Sequence, residues 1–435
     1  MNRSSLGSDK PAGNKLGSAR EFRLLWVSGL LAGLGAQMSS IALPLLVLRQ
    51  TGSAVQAGAV GTVSVGALLV TMLPGGALAD AVERRRLMRL CDVGSLAAAG
   101  ALTIAVLNGR SPLVLVLLVA VAGAVINSLY GPAALGLLRA VVPKDMLTTA
   151  SSRMQARGAA ARLVGPMAGG ALFAVRPALP FAAETLALLA STACLAFMRT
   201  RSAPAPNAGS AFSKKEFTAG VTFIWHRPYL RTVLLVFGLG VNAAFSATMF
   251  VAMAVASRGG SSGIGAGSVV SLTAVGSLVG ALVAPRLPPG LRPGVLIGGT
   301  CWACAAAVAV MTLNQNALLI GALCAMSIAL ASMASIGFLS SLLVATPQAM
   351  VGRVQSAAGF ISSLVQPLGP LAGGVLLSGW GASTTFALLG AVFALCAVVV
   401  TGARSVRRQP AAVPAGAAPA GRPHKAPDGA ALAQE

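Results

Sequence analysis

The chain is short of charge, and of acids most of all. Only 10% of its 435 residues are charged, with 10 Asp and Glu set against 32 Lys and Arg. It has two histidines, His226 and His424, both in polar segments. A zinc centre or a histidine-dependent triad therefore lacks its ligands, and a membrane-embedded enzyme lacks the acids or histidines it would cluster at one face. The first 20 residues carry Arg3, Lys10, Lys15 and Arg20 but no apolar h-region. No secretory signal is expected there, and insertion is expected to begin at the first spanning helix. Six cysteines (Cys91, Cys194, Cys301, Cys304, Cys324, Cys396) lie in or beside apolar segments. Cys301-Trp302-Ala303-Cys304 has CxxC spacing, but no βαβ pattern or second ligand pair surrounds it, so the cysteines read as small core residues. No metal or cofactor is expected.

What the chain has in abundance is apolar length. It is 56% hydrophobic with a mean hydropathy of +0.81, outside the range of an ordinary soluble domain. Runs of about 20 apolar residues, each able to span a bilayer, recur almost throughout. They predict spans at 22–48, 58–80, 87–107, 112–142, 148–175 and 178–198, then at 229–255, 263–285, 293–312, 316–345, 350–378 and 381–402. A polar stretch at 199–216 separates the two sets, and 217–225 reads as an amphipathic lead-in along the membrane surface. Residues 1–21 and 403–435 are expected to form a cytoplasmic segment and a disordered cytoplasmic tail.

The formal charge of +22 would suit a nucleic-acid binder only if it formed one continuous basic face. Instead Lys and Arg gather in alternate loops, the signature of the positive-inside rule, which puts both termini in the cytoplasm. The two sets of spans also echo one another. Arg153-Met154-Gln155 and Gly165-Pro166-Met167-Ala168-Gly169-Gly170 in the first resemble Arg353-Val354-Gln355 and Gly369-Pro370-Leu371-Ala372-Gly373-Gly374 in the second. The expected fold is all-α and integral to the membrane, with twelve helices in two six-helix halves (22–198 and 217–402) related by an axis along the membrane normal. The lipid bilayer is its expected surrounding, as a monomer, with no nucleic-acid partner.

Pro74-Gly75-Gly76-Ala77-Leu78-Ala79-Asp80 closes the second run, and Arg84, Arg85, Arg86 and Arg89 follow. A carboxylate is disfavoured at the negative end of a helix unless cations or another helix N-terminus receive it. A structural Asp–Arg pair at a membrane face is the plain reading. The pattern Gly76-x-Leu78-Ala79-Asp80-x-x-x-Arg84-Arg85 also resembles the loop between helices two and three of the major facilitator superfamily. There it implies a latch between the halves that is remade as the transporter switches. Ala81 and Glu83 stand where that family usually has a basic residue and glycine.

Gly165-Pro166-x-x-Gly169-Gly170 resembles the antiporter motif of the same superfamily, with Ala161 in place of the usual leading glycine. The resemblance implies a pliable helix, with Arg162 close by, that closes the inner gate against leak. Plain tight packing would ask for much the same sequence. Phe22-Arg23-Leu24-Leu25-Trp26, Ala42-Leu43-Pro44-Leu45, Thr51-Gly52-Ser53-Ala54, and Glu216-Phe217-x-x-Gly220 with His226-Arg227-Pro228-x-Leu230-Arg231 resemble the branch of enterobactin exporters and macrolide-efflux proteins. That implies a secondary active exporter of a small hydrophobic or amphipathic compound in a bacterial cytoplasmic membrane. Alternating access and proton antiport would drive it. A narrow-range siderophore or metabolite exporter, or a non-transporting sensor or scaffold, is the alternative. Ala36 and Ala134 stand where that branch often has Asp in helix one and Arg in helix four, so that pair is missing here.

Few ionisable residues fall within the spans, which makes each informative. Asp92 is expected to pair with Arg89 at the interface. Arg162 must meet a partner, a carbonyl or a cavity. Glu184 lies roughly 9 Å into its helix at 1.5 Å per residue. It is the candidate proton-coupling carboxylate, with Asp92 next; a structural acid near the positive helix end is the competing reading. A cavity between the halves is expected to use Gln37, Asn127, Tyr130, Asn242 and Gln366 as polar lining. Phe245, Met249 and Phe338 are its expected apolar contacts.

Overall fold

A computed structural model describes residues 13–143, 146–200, 214–257, 262–286, 293–346, 350–403 and 406. Arg3 and Lys10, most of the central loop and the tail lie outside the described residues. Among those described, every regular element is helical. The first set comprises α1 (Gly13–Thr51), α2 (Ala54–Ala81), α3 (Arg84–Leu107), α4 (Leu113–Val141), α5 (Leu147–Val175) and α6 (Leu179–Phe197). α1 begins nine residues before the apolar run does, since no helix breaker separates Gly13 from Phe22. Turns at Gly52 (φ 65°) and Gly109 (φ 67°) use the left-handed region that glycine enters without a Cβ clash. Ser53 caps α2 by accepting a hydrogen bond from the Gln56 N–H at 3.3 Å.

The second set opens with α7 (Lys214–Trp225), close to the surface lead-in that its sequence implied. α8 (Pro228–Ala256) follows, wound as a π-helix from Leu234 to Val241. Then come α9 (Ser262–Val283), α10 (Pro293–Leu313), α11 (Ala317–Ala345), α12 (Val351–Ser363) and α13 (Leu368–Gly402). The expected eleventh span is therefore broken. Four residues of turn separate α12 from α13, because Pro367 has no N–H to carry the ladder across.

Eleven described segments are long and apolar enough to cross a membrane, and the last, Arg353–Gly402, has 50 residues. At 1.5 Å per residue it would reach roughly 75 Å, more than twice a hydrocarbon core. The chain turns back at Gly381 (φ 75°, ψ 176°). Beyond that turn Gly390 packs against Ala305 and Val308, and Thr401 lies beside Gly298, so the end of α13 runs antiparallel to α10. Counted by passes, the chain crosses twelve times.

α1 is flanked by α5 and α6, α2 packs on α4, and α3 lies between α4 and α6. In the second set α13 packs on α8 and α10, and α9 on α11. Across the sets, α5 meets α9 and α2 meets α13. Glycine permits both crossings. Gly267 of α9 faces the Pro166 carbonyl and Gly170, Gly58 of α2 faces the Pro370 carbonyl, and Gly374 faces the Ala54 carbonyl. The Leu371 N–H donates to Thr62 Oγ1 at 3.1 Å across the same seam.

Both GPxxGG signatures thus join the two sets at the end of the molecule that carries the Gly52 turn. The antiporter-motif resemblance implied a helix that closes the inner gate; Pro166–Gly170 falls in the last third of α5, at the end opposite Arg84–Arg89. At the basic end a separate core of Leu25, Met88, Leu137, Leu138, Leu195 and Met198 belongs to the first set alone.

Candidate functional site

A cavity of about 420 Å³ is walled by α1–α6. Gln37, Asn127, Tyr130, Asp92, Arg162 and Glu184, all singled out in the sequence, line it together. Arg157, Ser39 and Ala36 join them. Asn242 and Phe245 do not. They line a second pocket of about 290 Å³ among α8–α11, with Ser277, Cys304, Ser332 and Ser335. Met249, Phe338 and Gln366 belong to neither wall. The Met249 sulfur accepts from the Thr273 hydroxyl at 3.7 Å, Phe338 packs on the apolar core, and the Gln366 carbonyl accepts from the Ser246 hydroxyl at 3.0 Å. Residues expected to share one cavity between the halves are thus spread over these two pockets and the surrounding core.

Each charged group in the larger cavity has its own local reason. Glu184 of α6 presses against Gly35 of α1, where a Cβ would sit 3.1 Å from the Glu184 Cα. It accepts a hydrogen bond from the Ser39 hydroxyl one turn further along α1. Asp92, only 1% exposed, accepts from the Ser191 hydroxyl of α6. Its expected partner Arg89 is exposed instead. Side chains lean toward the N-terminus of their helix, and Arg89 precedes Asp92, so it leans away toward water.

Arg157 of α5 lies across Gly29 of α1, a position only a residue without Cβ leaves open. One guanidinium nitrogen donates to the carbonyls of Leu25 and Trp26, each at 3.1 Å, while Nε is buried without a partner. The Tyr130 hydroxyl is also buried without a hydrogen bond, within electrostatic reach of Asp92 and Arg157. Arg157 was not singled out from the sequence. The missed signal was its five-residue spacing from Arg162 inside an alanine- and glycine-rich helix. Ser39 and Ser191 gave no signal, since only the packing of α6 on α1 and α3 brings them to carboxylates. Ala134, by contrast, is buried in the core at the basic end and does not reach the cavity.

The latch residues divide. Gly76 and Asp80 stand in the last turns of α2, and their side chains lie outside the described residues. Arg84 rests on Gly136 of α4. Arg85 donates from Nε to the Leu195 carbonyl at 2.9 Å and from Nη2 to the Ala196 carbonyl at 2.8 Å. Those carbonyls end α6, where they have no helical partner and the dipole is negative. Arg86 is exposed. A nearby anchor not read from the sequence is Glu21, whose carboxylate accepts the Arg199 N–H at 3.0 Å and the Thr200 N–H at 3.1 Å.

Residues 25–368 match the family model described as Major Facilitator Superfamily, most of the chain's length. The chain belongs to that superfamily. It is a multi-pass membrane protein of a transporter family. Among curated relatives it is 28% identical over 224 residues to the multidrug efflux pump Tap of Mycolicibacterium fortuitum, covering 49% of this chain and 54% of that one. It is 26% identical over 223 residues to Tap of Mycobacterium tuberculosis, covering 48% and 52%. The chain spans about half the length of the curated relatives it matches. A bacterial homolog of the human lysosomal transporter Spinster shares the fold in its inward-facing, unoccupied form, at TM-score 0.63 and 13% identity over 92% of this chain and 96% of that one. Its occupied form gives 0.65 and 15%, over 89% and 97%.

Proposed function

We propose that this chain is a secondary active exporter of small hydrophobic or amphipathic compounds, working by alternating access and proton antiport. Its halves are 22–198 and 217–402, and it sits in a bacterial cytoplasmic membrane with both termini inside. The basic loops support that orientation, and with the Arg84 end in the cytoplasm the seams at the Gly52 end make the described state inward-open. Reporter fusions after Arg89 and Lys215 should then read cytoplasm, and a fusion at Arg110 the exterior. A periplasmic signal at Lys215 would overturn the two-half arrangement.

The observation that carries the reading is Glu184. It is a carboxylate at membrane depth, on a cavity wall, held by one neutral hydroxyl from a neighbouring helix. A protonated carboxyl donates where an ionised one accepts, so proton arrival would change the α1–α6 contact that Ser39 and Gly35 make. The efflux relatives add to the export reading. Glu184→Gln in reconstituted vesicles is expected to abolish pH-gradient-driven transport while equilibrium exchange of substrate continues. Full gradient-driven transport in that variant would remove Glu184 from the coupling path.

A further inference from the structure

We propose that the α1–α6 cavity takes a compound with an apolar body and a single anionic group, carboxylate, sulfonate or phosphate, and that Arg162 holds the anion. This deepens the export reading and rests on it for the claim that the bound compound is moved. Of the four acidic and basic side chains on the cavity wall, three have at least one hydrogen-bond partner, although Arg157 Nε has none. Glu184 has Ser39, Asp92 has Ser191, and Arg157 has the Leu25 and Trp26 carbonyls. Arg162 is exposed on the same wall with no hydrogen-bond or ionic partner among the described residues.

Glu184 does not neutralise it, because α1 stands between them. Gly35 and Ser39 face α6 and Glu184, whereas Gly33 faces Ala161 and Gln37 faces Gly165 on α5. A guanidinium at membrane depth is costly unless water or an anion answers it, and its planar fork suits a carboxylate, sulfonate or phosphate bidentately. The same cavity wall also offers apolar surface, with Leu43, Val65, Leu68, Val119 and Leu188. At about 420 Å³ the space falls within the usual size of a small-molecule site.

Two fluorescent probes of similar shape separate charge from apolarity: 8-anilinonaphthalene-1-sulfonate, an anion, and N-phenyl-1-naphthylamine, which is neutral. Binding is measured to the full chain in phosphatidylcholine nanodiscs, with empty nanodiscs subtracted. The anion is expected to bind at least about 10-fold tighter than the neutral probe, one charge-assisted pair's worth. Arg162→Gln should bring that ratio to near one, and Arg162→Lys should restore part of it. A ratio near one in the unaltered protein, or an unchanged ratio in Arg162→Gln shown to be folded by its thermal unfolding, overturns the proposal. Uptake of both probes into inverted vesicles is scored separately. Absence of flux for either one tells against the export reading, while the binding ratio still decides the anion site.

Discussion

The two pockets occupy corresponding helix sets yet differ in chemistry. The pocket among α8–α11 is walled by Phe237, Phe245, Asn242 and serines, with no Asp, Glu, Lys or Arg. The cavity among α1–α6 gathers Asp92, Glu184, Arg157 and Arg162. The two halves share the seam motif and differ in the chemistry of their pocket walls. Each half retains a GPxxGG helix that crosses to the other, with glycine facing backbone on both seams. A seam tolerates little change, because the atoms in contact are carbonyls that cannot move aside. A pocket wall tolerates more, so one half can carry the charges while the other supplies an uncharged surface.

The comparison breaks most severely where the halves meet. A Cβ on Gly267 would stand 2.6 Å from the Pro166 carbonyl oxygen and 3.3 Å from the Met167 Cα. Gly267→Leu should insert normally but lose flux by about 10-fold or more, an overpacking cost of about 1–3 kcal/mol on the joined state. Gly299→Leu is the control, since nothing lies within 4 Å of a Cβ there. Equal transport in the two variants would show that the α5–α9 seam does not limit the cycle.

A smaller effect is expected on the uncharged wall. The Asn242 amide donates to the Gly238 carbonyl at 2.9 Å within its own helix. Asn242→Ala removes that hydrogen bond and a longer one to the Ser362 carbonyl at 3.5 Å, together worth about 1 kcal/mol. It should shift the KM of apolar substrates about 2- to 5-fold, leaving gradient coupling in place. If coupling fails in Asn242→Ala as fully as in Glu184→Gln, the division of labour between the halves is wrong.

The spans were legible because apolar length is a signal that no loop imitates, and the reversal at Gly381 fell where the predicted eleventh and twelfth spans part. The first-half cavity is lined by residues that the sequence singled out for several different roles. Gln37, Asn127, Tyr130, Asp92, Arg162 and Glu184 stand out as polar residues in apolar runs. Their partners were not legible, since Ser39 and Glu184 are 145 residues apart and meet only when α6 packs on α1. Sequence proximity suggested Arg89 for Asp92, and the direction in which helical side chains lean removed it. Met249, Phe338 and Gln366 were grouped with the cavity by residue type, which says nothing of the face a helix presents.

The π-wound stretch of α8 has a consequence for chain length. Wide turns close i to i+5 and put one residue more into the winding than an α-helix holds. The parts of α8 on either side, 228–233 and 242–256, are therefore phased independently of each other. Deleting one residue between 234 and 241 would remove the wide turns with the two parts still close to their present phase, whereas winding all eight residues as ordinary α-helix would swing one part against the other by about 100°. Tyr229, Leu230 and Val233 are buried and hold their end fixed. The other end would turn, carrying Asn242 and Phe245 off the pocket wall. In this helix the width of the winding, more than the identity of the residues wound, decides what the second pocket offers a ligand.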